Sequence, residues 1–94
     1  MRERYIEKYF TKAMKGIGAV VRKLKWGCGK NAPDRLVAFH GMINLVELKS
    51  ETGCLSWGQA LEHRRFEKAG IKISVLSNLD EVDTFVAKLN RGTL

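Results

Sequence analysis

NAPDRLVAFHGMINLVELK, residues 31–49, is the segment from which the architecture of the chain can be predicted. Its pattern predicts a short strand over residues 35–39, a turn at residues 40–42 and a second strand over residues 43–49. Successive side chains of a strand point to opposite faces, and both faces of the second strand carry apolar residues. A strand of this kind is typical of the centre of a sheet that is covered on both sides.

The second strand also carries two charges at its end. The face that begins with Ile43 and Leu45 continues to Glu47 and Lys49, and burying such charges is costly unless a partner neutralises them. Asp34, at the start of the neighbouring strand, is expected to lie beside Glu47 as a second carboxylate. Two carboxylates and a lysine at one sheet edge suit a divalent cation and a phosphodiester. A hairpin whose strand simply ends in charged residues is the plain alternative.

The chain is short and strongly basic. Its 94 residues suffice for one small domain with a thin core, and its net charge is +7. The excess lies in residues 1–49, which contain eleven Lys or Arg and four Asp or Glu, whereas residues 50–94 contain six of each. A basic half indicates a polyanionic partner, and nucleic acid fits better than a membrane because no basic amphipathic helix has a large apolar face. A solvated basic surface is the alternative.

Cys28 and Cys54 are the two cysteines of the chain. They form no CxxC motif and have no zinc-type spacing to His40 or His63, so we expect reduced thiols rather than metal ligands or a disulfide. No segment approaches the ~20 apolar residues of a membrane span. The N-terminus lacks the apolar core of a signal peptide. These features predict an intracellular, cytoplasmic protein.

Helical and strand periodicities predict five further elements around the hairpin. They are a helix over residues 2–15, a strand over 19–25, a helix from Ser56 to about residue 69, a strand over 71–76 and a helix capped by Asn78. The element order is therefore α-β-β-β-α-β-α. This order predicts an α/β fold in which a small mixed β-sheet is flanked by helices.

The second helix carries polar side chains on its inward stripe. Ser56 and Gln59 have the spacing of a capping box, and Gln59, His63 and Phe66 recur at helical spacing. Since Phe66 should face the interior, Gln59 and His63 are expected to face it too, where each needs a partner. A capping role and a site role are equally compatible with Gln59. His63 is predicted to be a hydrogen-bonded interior histidine rather than a general base.

Trp26 lies among the lysines Lys23, Lys25 and Lys30. An aromatic side chain in a basic setting can stack on a base or a sugar. Such a tryptophan more often covers the edge of a core, and we prefer that interpretation. The three lysines, together with Arg35, are the predicted DNA contacts.

Taken together, these motifs resemble those of a nuclease family. Pro33-Asp34, twelve intervening residues and Glu47-x-Lys49 are similar to the motif of the PD-(D/E)XK nuclease superfamily, whose fold is restriction-endonuclease-like. PDRLV, LVELK and then S-x-x-Q-x-x-x-H-x-x-F-x-x-x-G resemble the VRR-NUC family, the virus-type replication-repair nucleases, over nearly the whole chain. The family usually has Gly where Asn31 stands, but Asn tolerates a left-handed turn.

The resemblance implies the site residues of a metal-dependent DNA endonuclease. Carried onto this sequence, the family's residues are Glu7, Lys23, Asp34, Glu47, Lys49 and Gln59. It implies that Asp34, Glu47 and the main-chain carbonyl of Leu48 bind Mg²⁺ or Mn²⁺. Lys49 and Gln59 would complete the catalytic set, and Glu7 and Lys23 would support it from further out.

The resemblance further implies a homodimer that cuts branched DNA, such as four-way junctions or flaps, in phage or viral replication or repair. In an infected cell such a protein would act in the host cytoplasm. One alternative is a catalytically silent DNA-binding module of the same fold. Another is a structural partner in a phage or replication assembly. The intact set of Asp34, Glu47 and Lys49 favours the enzyme.

Overall fold

The computed structural model describes residues 2–92, and within them the helices and strands follow the predicted order. The elements are α1 (Glu3–Gly16), β1 (Val20–Lys23), β2 (Arg35–Phe39), β3 (Met42–Leu48), α2 (Trp57–Lys68), β4 (Ser74–Leu76) and α3 (Leu79–Arg91). The α/β fold class, a small mixed sheet flanked by helices, is confirmed. Across these residues no helix combines the length and the apolar character that crossing a membrane requires.

The sheet has the strand order β1-β2-β3-β4. Its first three strands are antiparallel, whereas β3 and β4 are parallel and are joined by a crossover through α2. The turn between β2 and β3 consists of His40 and Gly41, whose φ angles are 48° and 79°. Positive φ at both positions is the mark of a type I′ hairpin, which matches the twist of the flanking strands. In the strand order of this sheet β3 has a neighbour on each side, so it lies inside the sheet, as predicted.

α1 and α3 pack together on one face of the sheet and form the core with it. The buried residues are Ile6, Phe10 and Met14 of α1, Val82, Phe85 and Leu89 of α3, and Val37, Val46, Leu48 and Leu76 of the sheet. Tyr5 and Tyr9 of α1 are exposed at the edge of this core. The Tyr9 hydroxyl donates to Asp83 at 2.6 Å and so ties α1 to α3.

The second face of the sheet is only partly covered. α2 lies over its Glu47 end, where Gln59 and His63 approach that carboxyl, yet no residue of α2 is fully buried. Further along this face, Val20 and Ile43 are 47% and 65% exposed. The predicted cover on both sides therefore holds for the end of β3 but not for its beginning, because one helix of 12 residues is only about 18 Å long.

Two strands are shorter than predicted because their partners end. β4 pairs only with residues 46–48 of β3 and begins at Ser74. The N–H of Ile71, predicted to start this strand, instead donates to the carbonyl of Phe66 at the end of α2. β1 is limited to the four residues that pair with residues 35–38.

Candidate active site

Asp34 and Glu47 meet where β2 begins and β3 ends. The register pairs Arg35 with Val46, so Asp34 and Glu47 are the next neighbours across the two antiparallel strands. The Oδ2 atom of Asp34 accepts a hydrogen bond from the N–H of Leu48 at 2.8 Å. The carboxylate that precedes β2 is thereby held against the end of β3.

Glu47 is a buried acid, with only 1% of its surface exposed. Burial raises its pKa to about 8, helped by the contact with Asp34 and by the charge of that carboxylate, while the positive charge of Lys49 acts in the opposite direction. Adjacent carboxylates repel each other, so one member of such a pair takes up a proton or a cation near neutral pH. The pair of Asp34 and Glu47 can therefore bind a proton or a cation in addition to its contacts within the fold.

Gln59 connects the start of α2 to Glu47. Its Oε1 accepts from the N–H of Ser56 at 2.9 Å and completes the capping box, while its Nε2 donates to Oε2 of Glu47 at 3.4 Å. The side chain of Gln59 thus caps α2 and contacts Glu47 at the same time. Because the cap fixes the first turn of α2, it also fixes where the Gln59 amide lies.

His63 also faces Glu47, one turn further along α2. Its Nε2 lies 3.5 Å from Oε1 of Glu47, and burial lowers its pKa, so the imidazole is neutral at pH 7. His63 faces the interior, as predicted. The predicted hydrogen bond, however, is wrong: Nε2 has no hydrogen-bond partner among residues 2–92. Oε1 of Glu47, on β3, lies beyond the usual length of a hydrogen bond from this nitrogen.

The oxygen atoms at this edge suit a hard divalent cation. Oε1 of Glu47 is buried and has no hydrogen-bond partner among the described residues, Asp34 adds a second carboxylate, and the Leu48 peptide is anchored beside both. In the described part of the chain, no three His, Cys, Asp or Glu side chains converge. Water and a substrate oxygen would therefore complete the ligands, as is common for Mg²⁺, which often takes only one or two carboxylates.

A second charged group lies behind Asp34. Arg35, only 8% exposed, donates from Nη1 to the main-chain carbonyl of Asp34 at 3.0 Å, and its Nη2 lies 3.4 Å from Oε1 of Glu7. Glu7, which composition alone suggests to be a solvated acid, is thus the ion-pair partner of Arg35. Arg35, predicted to contact DNA, is thus largely buried and bonded within the protein.

Glu7, Lys23 and Arg35 border one groove between α1 and the first strands. The other residues of this groove are Lys8, Thr11, Lys12 and Lys15. The two outer residues implied by the resemblance, Glu7 and Lys23, therefore line the same groove, which is otherwise mostly basic. Lys25 and Lys30 lie in the following loop and are exposed.

That loop, residues 24–34, is attached to α2 at two points. Trp26 stacks on Phe66 with ring centroids 5.9 Å apart and donates from Nε1 to Glu62 at 2.7 Å, which agrees with the packing role preferred for it. Near the other end, Asn31 has the left-handed φ of 70° and lies against Gly58. A Cβ on Gly58 would be only 2.5 Å from the Asn31 side-chain nitrogen.

Sequence reasoning missed the role of Gly58. The only available signal was a glycine in the first turn of a helix, where a better helix former would be expected. The two cysteines take no part in the site, since Cys28 and Cys54 are both free and exposed.

The chain is similar to a protein of known structure over most of its length. A solved structure described as a VRR_NUC domain superposes on it with a TM-score of 0.81 and 33% sequence identity, covering 90% of this chain and 94% of the other. No protein-family profile and no curated protein matches the sequence. Identity and coverage at this level indicate more than a shared fold.

Proposed function

We propose, since this chain belongs to the VRR-NUC family of nuclease domains, that it hydrolyses phosphodiester bonds of DNA with a divalent cation. The observation that carries this proposal is the carboxylate pair of Asp34 and Glu47. Glu47 is buried, has a pKa raised to about 8 and keeps an oxygen without a hydrogen-bond partner among the described residues. Lys49 lies close enough for its charge to act on Glu47.

Asp34, Glu47 and the main-chain carbonyl of Leu48 would hold Mg²⁺ or Mn²⁺. Such a cation supplies Lewis acidity toward a phosphate oxygen and lowers the pKa of a water molecule. Lys49 orients the attacking water and offsets the negative charge that grows on the phosphate in the transition state. Gln59 holds the Glu47 carboxylate in place through the bond from its Nε2.

The outer residues position the inner ones and bind the DNA backbone. We assign Arg35 to positioning, because it holds the carbonyl of Asp34 and is itself held by Glu7. Lys23, in the basic groove, and the exposed Lys25 and Lys30 bind phosphates. Since phosphate contacts release counterions, binding through these lysines weakens steeply as the salt concentration rises.

We further propose that the domain acts as a homodimer on branched DNA. The partly covered second face of the sheet supports a dimer, because Val20 and Ile43 are exposed there beside the half-buried Ala38. In a two-fold dimer, one copy of this face would cover the other, and the two sites would be related by symmetry. Two symmetric cuts are what the resolution of a four-way junction requires.

Cleavage of labelled DNA tests the nuclease proposal. Linear duplex, flap, splayed and four-way DNA would be incubated with Mg²⁺, with Mn²⁺ or with EDTA. We expect cutting with either cation, faster on branched DNA, and none in EDTA. Asp34→Asn and Glu47→Ala should each abolish cutting while leaving the circular dichroism spectrum and DNA binding largely unchanged.

Two results would refute parts of this proposal. Full activity of either variant at saturating cation would show that the carboxylate pair is not the metal site. DNA binding by the unaltered protein without cutting under any of these conditions would favour the alternative, a catalytically silent DNA-binding module.

A further inference from the structure

The two tryptophans of the chain have opposite environments. Trp26 is packed on Phe66 and hydrogen-bonded to Glu62. Trp57, the first residue of α2, is 81% exposed, more than any other large hydrophobic side chain of residues 2–92. Within those residues its indole has neither a hydrogen bond nor a ring contact. An indole left in water contributes little to folding, since burial of apolar surface is what stabilises the fold.

Trp57 belongs to the first turn of α2, the turn that also carries Gln59, which donates to Glu47 of the candidate active site. Side chains two residues apart on a helix do not face each other, so Trp57 faces away from the Gln59 amide. Gly58, between them, contacts Asn31 of the loop that leads to Asp34. The capping bond from the Gln59 N–H to Ser56 Oγ, 3.1 Å long, holds this first turn in place. The backbone that carries the exposed indole is thus held beside the two segments that bring Asp34 and Gln59 to the site.

The loop that contacts the start of α2 is basic up to Asp34. Residues 24–33 of this loop contain Lys25 and Lys30 and no acidic residue. Both lysines are exposed, and the first turn of α2 carries no acidic residue either. An exposed flat aromatic ring bordered by cations is complementary to a nucleotide strand, which offers flat bases and negative phosphates. The apolar surface of a protein partner would not be complementary to these cations.

We propose that Trp57 stacks on an unpaired base of DNA close to the scissile phosphate. The position of that phosphate rests on the proposed nuclease function, but the stacking itself does not. The face of a base within a duplex is covered by its neighbours, so this contact selects DNA that has a single-stranded segment at the cut. It is tolerant of sequence, because every base has a π-face.

Tryptophan fluorescence in EDTA measures this contact without cleavage. In Trp26→Phe the one remaining indole is Trp57, and its emission would be followed during titration with a tailed duplex and with a blunt duplex of equal length. We expect strong quenching by the tailed duplex and little by the blunt one. The matched variant Trp57→Phe, which keeps the packed Trp26, should show little change with either DNA.

Affinity provides the second measurement. Loss of one base–aromatic stack should weaken binding of the tailed duplex about 5- to 150-fold, so Trp57→Ala should show a loss in this range. Its affinity for the blunt duplex should change little, because phosphate contacts carry that binding.

Several results would overturn the inference. Equal quenching by both DNAs, or no quenching at saturation, would exclude selective stacking. Protection of Trp57 from iodide in the free protein, with a lower mass for Trp57→Ala in light scattering, would assign the indole to a protein interface. If the unaltered protein never cut DNA but tailed DNA still quenched Trp57, the nuclease proposal would fail and the stacking site would stand.

Discussion

Glu47 is the residue at which the requirements of folding and of the proposed chemistry conflict. A carboxylate with 1% exposure is costly to ionise inside a protein, and a second carboxylate on Asp34 increases that cost. A hydrophobic side chain at this position would pack without the penalty. The proposed cation would neutralise the pair and so account for a glutamate at this position. The raised pKa also has a measurable consequence for stability.

The metal-free protein should lose stability as the pH rises. The pKa of Glu47 is about 8 in the folded protein, whereas an unfolded glutamate titrates near about 4.3. Between these values the folded protein holds a proton that the unfolded chain has released, so the free energy of unfolding falls with increasing pH. Urea unfolding in EDTA at several pH values between about 5 and about 8 measures this decrease in the free energy of unfolding.

Two comparisons assign this pH dependence to Glu47. Glu47→Gln, which cannot ionise, should lack the decrease, and saturating Mg²⁺ should remove it in the unaltered protein by binding the ionised pair. Glu67→Gln, a change of an exposed acid, should keep the decrease. Parallel pH profiles for the unaltered protein and Glu47→Gln would contradict the raised pKa.

Lys49 should act in the chemical step. Lys49→Met is expected to lower kcat by about 100-fold or more, as loss of a single transition-state donor does elsewhere, with nearly unchanged affinity for the cation. Lys68→Met, which removes an exposed lysine at the end of α2, should keep kcat within about two-fold, as surface changes remote from a site usually do. Steady-state kinetics on one DNA substrate separates the effect on kcat from the effect on KM. A defect confined to KM would make Lys49 a phosphate-binding residue only.

At the scale of elements, the contact between the loop of residues 24–34 and the start of α2 determines the shape of the site. One side of this contact leads to Asp34 and the other to Gln59. Gly58 allows the close approach, because an added Cβ would lie 2.5 Å from the nitrogen and 3.0 Å from Cγ of the Asn31 amide. The same substitution would favour the helix, since Ala exceeds Gly by about 1 kcal/mol in helix propensity.

Gly58→Ala should therefore reduce cutting more than it changes stability. The added Cβ pushes the Asn31 side chain away and so loosens the attachment of the loop that leads to Asp34, while the gain in helix propensity offsets the strain. Adding Asn31→Gly removes the colliding amide and should restore activity. Gly27→Ala, at a position with no atom within 4 Å of the added carbon, is the matched control and should cut normally. Normal cutting by Gly58→Ala would show that the contact is not needed.

The sequence predicts features of this site that depend on local patterns. The capping box of Ser56 and Gln59, the alternation along β3 and the turn at His40 can all be deduced from neighbouring residues, and they are present. The meeting of Asp34 and Glu47 follows from the register of the hairpin. The Gly58 contact and the unbonded Nε2 of His63 depend on how α2 packs against the sheet and the loop. No local sequence pattern predicts that packing.

At the scale of the whole molecule, charge and apolar surface lie on different parts of the protein. The basic groove follows α1 and β1, whereas the second face of the sheet carries exposed apolar side chains beyond the reach of α2. Val20 and Ile43 flank Ala38 across three strands of this face. A monomer would leave these side chains in water, which matters for a domain with one thin core.

The unaltered protein is accordingly expected to be a homodimer at micromolar concentration, with twice the chain mass of 10.6 kDa in light scattering. Ile43→Asp places a charge on the second face and should give a monomer that cuts four-way junctions more slowly than the dimer. Met42→Asp is the matched control, because Met42 is also exposed but points to the opposite face of β3, so its variant should remain dimeric. A single-chain mass for the unaltered protein, with undiminished cutting of four-way junctions, would rule out an obligate dimer. If that monomer also cut linear duplex as fast as junctions, the preference for branched DNA would be refuted with it.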